Sequence, residues 1–168
     1  MTQGRNPDNL FAMKIWNCLH TKCIFLDVPL PDKDAVLQFI AEACVSRGIV
    51  KDADILFDGL KAREETMSTG IGGGIGIPHT ISSETKDPAI LLIKCSEPVE
   101  FESPDAVPVE VIVALVVPEN KPDLHLQILA SLARLCQYPG FFKTVQNAKE
   151  PNALLDAIRH LEETISLH

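Results

Sequence analysis

The chain has 168 residues, 46% hydrophobic and 23% charged, the balance of one globular domain with a full core. That excludes a disordered, collagen-like or coiled-coil chain. With 15 Lys and Arg against 23 Asp and Glu the net charge is −8, which argues against nucleic acid as a partner and leaves room for a basic protein or a locally neutralised anion.

Residues 1–13 carry no pattern and read as a loose N-terminal tail, with one domain over 14–168. Lys14 to Leu19 can form a short helical turn, and Cys23 to Val28 a strand closed by Pro29 and Pro31. Asp32 is an N-cap for a helix whose apolar stripe is Ala35, Val36, Phe39, Ile40 and Ala43, and Gly48 ends it. Asp52 caps a second helix, with Ile55, Leu56 and Leu60 expected inward. Ala89 to Cys95 and Val107 to Val117 are near-continuous apolar runs rich in β-branched residues. Such runs suit strands buried on both faces, so helices are expected on both sides of the sheet. Pro122 and Asp123 open a helix with Leu126, Leu129, Leu132, Ala133 and Cys136 expected inward, ending near Pro139 and Gly140. A last helix, about Asn152 to Thr164, carries Leu154, Leu155, Ile158, Leu161 and Ile165 on its apolar face. The result is a single α/β domain.

The five cysteines are scattered, with no C-x-x-C pair, and read as reduced thiols of a cytoplasmic protein. The N-terminus lacks a signal-type apolar core, and no run approaches the roughly 18 apolar residues of a membrane span.

The unusual segment is Ser68 to Thr80, STGIGGGIGIPHT. Read as one strand, it turns Ile71, Ile75 and Ile77 into the core and leaves a face bare of side chains at 70, 72, 74 and 76. Such a face permits close approach, either by another part of the fold or by a docking partner. It is neither a dinucleotide fingerprint nor a P-loop, because 75 and 77 are isoleucine and no G-K-[ST] follows. Pro78 ends the pairing, and His79 follows at the end of a stiff element, where a neutral imidazole can act as a nucleophile. His125 falls in the first turn of the Pro122 helix, a place that favours anions and disfavours imidazolium. Arg63 ends the second helix, where a guanidinium can grip phosphoryl oxygens or simply offset the helix dipole. Ser68 and Thr69 can donate to an anion or satisfy the turn. His20, His160 and His168 read as solvated.

The stretch Arg63-Glu64-Glu65-Thr66-Met67-Ser68-Thr69-Gly70-Ile71-Gly72-Gly73-Gly74-Ile75-Gly76-Ile77-Pro78-His79, followed by Val116-Val117-Pro118 and the helix opening His125-Leu126, resembles the mannitol/fructose-type enzyme IIA of the bacterial phosphoenolpyruvate:sugar phosphotransferase system (PTS). The resemblance covers roughly residues 14–165. It implies a mixed β-sheet flanked by helices on both faces, and a phosphoryl group accepted on His79 with no metal or organic cofactor. It makes His125 the second active-site histidine and Arg63 the arginine beside the phosphoryl group. The implied donor is a phosphohistidine carrier protein of HPr/NPr type. The implied output is either a nitrogen-type regulator acting through phosphorylation-dependent protein binding, or a fructose/mannitol IIA passing phosphate to a separate IIB domain. A third class, a non-phosphorylated binding module on the same fold, is disfavoured by the intact His79, His125 and Arg63. The sequence departs from the family's pattern at Gly76, usually alanine, at Thr80, where a small residue is common, and at Ala106, where Asp-Gly is usual. Thr80 would stand to crowd the donor or add a hydroxyl beside the site.

Overall fold

In a computed structural model, residues 14–167 are described; the tail expected over 1–13, and His168, lie outside them. Six strands, β1 (Ile24–Val28), β2 (Gly70–Gly72), β3 (Ile75–Gly76), β4 (His79–Ser82), β5 (Ala89–Val99) and β6 (Val109–Pro118), form one mixed sheet. The order is β1-β5-β6-β3-β2, and β4 continues beyond β3 along the same side of β6. The β1–β5, β3–β6 and β4–β6 pairs are parallel, and the β5–β6 and β2–β3 pairs antiparallel.

The two apolar runs are buried on both faces, as their composition requires. On β6, Ile112, Ala114 and Val116 join a core with α2 (Lys33–Ser46) and α3 (Ala53–Thr66). Val111, Val113, Leu115 and Val117 face the other core, built with α1 (Ile15–Cys18), α4 (Pro122–Gln137), α5 (Phe141–Gln146) and α6 (Pro151–Ser166). The caps fall where the sequence puts them. Asp32 accepts from Ala35 N–H at 2.8 Å, and Asp52 accepts from the N–H groups of Asp54 and Ile55. Gly48, at φ 73°, closes α2. All five cysteines are free, and burial pushes the Cys44 and Cys136 thiols up to about 12, so they behave as small hydrophobes.

The glycine segment is not one strand. It is a tight hairpin, β2 pairing back onto β3, with Gly72, Gly73 and Gly74 all at positive φ. Its bare positions do not await a partner, because the fold fills them. A Cβ on Gly70 would lie 2.1 Å from Ser103 Oγ, one on Gly74 2.8 Å from the Phe142 ring, and one on Gly76 3.2 Å from the Phe101 ring. The close approach is therefore internal. Two further expectations fail: Ile55 and Leu126 are 63% and 68% exposed. On α4 the inward stripe is Ile128, Leu132, Leu135 and Cys136. Helix α5, which the sequence reading lacks, starts after Gly140 at φ 96° and has no side-chain cap to announce it.

Ala106, at φ 59°, occupies a conformation that costs an L-residue ~1–2 kcal/mol. Ala106→Gly, the residue usual in the resembling pattern, is expected to raise stability by about 0.5–1 kcal/mol after glycine's entropic penalty. An unchanged or lower urea midpoint would count against that strain.

Candidate functional site

His79 is the first residue of β4 and is fixed by the ladder on β6, where the carbonyl of Pro78 accepts from Leu115 N–H at 2.9 Å. The residue is only 8% exposed. Arg63 Nε–H donates to His79 Nε2 at 3.2 Å, and an arginine can only donate. Nε2 therefore carries the lone pair, and Nδ1 carries the proton, which it donates to the Ile77 carbonyl at 2.8 Å. Two bonds thus fix the orientation and tautomer of the ring.

Arg63 sits in the last turn of α3, and its Nη1 also donates to the Met67 carbonyl at 3.0 Å. It sits at the helix C-terminus, as a cation that offsets the dipole would, and contacts His79 at once. His125 comes from the first turn of α4, on the other face of the sheet from α3. Its ring centroid lies 5.7 Å from that of His79, the planes 64° apart. His125 Nε2 is buried and has no hydrogen-bond partner, an unmet polar atom on the ring that faces His79.

Burial holds the His79 pKa below the ordinary 6.5, and the charge of Arg63 and the proximity of His125 push the same way, against the Ile77 carbonyl. His125 is lowered by burial and then by Arg63. Both rings are neutral near pH 7. This sets a direction for stability. The unfolded His79 ring titrates near 6.5 and the folded one lower. Between the two values the unfolded chain binds the additional proton, so this contribution is complete above about 6.5 and is lost as pH falls through that window. Urea midpoints from pH 7.5 to 5 are expected to fall less in His79→Gln than in the wild type. An identical slope would remove His79 as a source.

The structure brings His79, His125 and Arg63 together. It turns the Ser68 and Thr69 hydroxyls elsewhere: Ser68 Oγ–H donates to the Phe101 carbonyl and Thr69 Oγ1–H to Glu64. Thr80 does not crowd the ring. Adjacent strand residues face opposite ways, and Thr80 lies over α3, where a Cβ on Gly59 would meet its Oγ1 at 2.8 Å. Glu64 escapes the sequence reading. It is 7% exposed and paired with Lys33 Nζ at 3.0 Å, a burial decided by a residue on another helix. Exposed apolar side chains stand next to the site in the chain: Met67 at 69%, Ile81 at 54% and Leu126 at 68%.

The family model "Phosphoenolpyruvate-dependent sugar phosphotransferase system, EIIA 2" matches residues 17–161. A nitrogen regulatory protein of Pseudomonas aeruginosa is 32% identical over 133 residues, 79% of this chain and 86% of the relative. A PTS system fructose-specific EIIA component of Haloferax volcanii is 29% identical over 140 residues, 83% and 91% of the two chains. The crystal structure of nitrogen regulatory protein IIA-Ntr from Neisseria meningitidis superposes with a TM-score of 0.80 at 28% identity, covering 86% of this chain and 98% of that one. Among the described residues no helix is long and apolar enough to cross a membrane. With the mixed sheet and the histidine pair in place, the match over most of its length makes this chain a member of the EIIA type 2 family of the phosphotransferase system.

Proposed function

We propose that the domain, taken as residues 14–168, accepts a phosphoryl group on His79 Nε2 from a phosphohistidine carrier protein of HPr/NPr type. The observation that carries this reading is the tautomer: an uncharged, buried ring with Nδ1–H spent on Ile77 and the Nε2 lone pair held beside Arg63. In the transfer, the Nε2 lone pair forms the new N–P bond. The carrier's N–P bond breaks, its electron pair returns to the carrier's imidazole, and the proton on His79 Nδ1 stays in place. Such transfers are mostly positioning and charge stabilisation. Arg63 Nε–H, released as Nε2 becomes bonded, turns to a phosphoryl oxygen, and the unmet His125 Nε2 supplies a second contact as its N–H tautomer. No cofactor enters this scheme.

A protein donor suits the surroundings better than a free sugar. Met67, Ile81 and Leu126, within four residues of Arg63, His79 and His125 in the chain, offer exposed apolar surface, and the charge of −8 would speed encounter with a basic docking patch. The output we favour is that of a regulator, resting on the similarity to the nitrogen regulatory proteins. Delivery to a separate IIB domain is the second reading, supported by the fructose-specific relative. The test is intact mass after incubation with phosphoenolpyruvate, enzyme I and a phosphocarrier. A single acid-labile phosphoryl adduct is expected. Absence of an adduct with every carrier tried would leave a binding module only.

A further inference from the structure

The β2–β3 hairpin pairs Gly70 with Gly76, and one step outward from that pair Thr69 would stand opposite Ile77. There Ile77 N–H donates to the Thr69 carbonyl at 2.9 Å. Residues joined in this way in an antiparallel ladder exchange both bonds, so Thr69 N–H should return to the Ile77 carbonyl. It goes elsewhere. Thr69 N–H donates to Glu64 Oε1 at 2.9 Å, and the Thr69 hydroxyl takes Oε2. The Ile77 carbonyl is thereby left to His79 Nδ1–H, 2.8 Å away. The missing ladder bond and the bond that sets the nucleophile's tautomer meet at one oxygen.

Glu64 is built for this diversion. Its side chain is 4% exposed, and Lys33 Nζ, itself 4.8 Å from the Phe101 ring centroid, neutralises it at 3.0 Å. Two donors from Thr69 and one from Lys33 need an acceptor-only group with two oxygens, which a carboxylate is and an amide is not. We propose that Glu64 is a positioning residue for His79: by taking the Thr69 amide it removes a competing donor from the Ile77 carbonyl, which then holds the ring with Nδ1 protonated and the Nε2 lone pair turned to Arg63. Thr69 then serves as the link in that path and is not a phosphate ligand. The catalytic meaning rests on the reading of His79 as phosphoacceptor; the tautomer lock does not.

The test is the nitrogen chemical shifts of the His79 imidazole in the ¹⁵N-labelled full chain at pH 8, beside the rate of labelling by a phosphorylated carrier. The wild type is expected to show Nδ1 protonated and Nε2 bare. Glu64→Gln is expected to move both shifts toward a mixture of tautomers and slow labelling by on the order of 10–100-fold, the scale of a misplaced reacting group. Thr69→Val, which removes one donor to Glu64, is expected to move the same shifts part of the way, and Thr69→Ser to restore them. A folded Glu64→Gln protein with the wild-type tautomer overturns the proposal. Should Glu64→Gln fail to fold, Thr69→Val decides, and wild-type shifts there overturn it too. The shifts need no phosphoryl donor, so a wild type that is never labelled refutes the acceptor role while the lock is still judged.

Discussion

Replacing His79 by Gln is expected to abolish the phosphoryl adduct completely, while replacing His125 by Ala slows its formation without removing it. The difference follows from geometry. Of the two imidazoles, that of His79 has its Nε2 lone pair held in place by hydrogen bonds and is uncharged near pH 7. His125 Nε2 has no partner to orient it before a phosphoryl group arrives. Loss of one such contact typically costs on the order of 10²–10³ in rate, whereas loss of the nucleophile leaves no bond to form. The measurement is the time course of adduct mass for the three proteins under one carrier. Full labelling of His79→Gln would move the phosphoryl group to another residue, and loss of labelling only in His125→Ala would reverse the two roles.

Arg63→Ala is expected to reduce the transfer rate by on the order of 10²–10³, with Arg63→Lys recovering only a small part. The guanidinium reaches His79 Nε2 with Nε and the Met67 carbonyl with Nη1, and a single ammonium cannot span that fork. A second effect separates charge from fold. Arg63 is one of the groups holding the His79 pKa down, so Arg63→Ala should raise it toward the ordinary value, and Arg63→Lys less so. Titration of the His79 ring by NMR reads this directly. An unmoved pKa together with a slowed reaction would place the Arg63 effect in carrier docking.

The α/β class was legible because the runs at Ala89 to Cys95 and Val107 to Val117 are apolar but for Lys94 and Glu110, a pattern that suits strands covered on both faces. The juxtaposition of His79, His125 and Arg63 was legible because the motif from Arg63 to His79 is contiguous and the His125 helix opens with a proline. The glycine hairpin was not. Alternation of Gly and Ile reads as a strand, and nothing in the composition says that three successive glycines adopt positive φ. Ile55 and Leu126 were misplaced for a different reason: apolar residues at helical spacing count as core until the neighbouring elements are known. Glu64 was invisible because its partners, Lys33 and Thr69, come from another helix and a turn.

The contact between Gly59 and Thr80 ties together two positions 21 residues apart that face each other across the seam of α3 and β4. A methyl group at 59 requires the Thr80 hydroxyl to turn away or be lost, and a smaller residue at 80 leaves a gap that 59 can fill. The two positions are therefore coupled: the cost of a side chain at 59 depends on which residue stands at 80. The residue immediately after His79 is thus matched to a helix position on the sheet face that α3 covers.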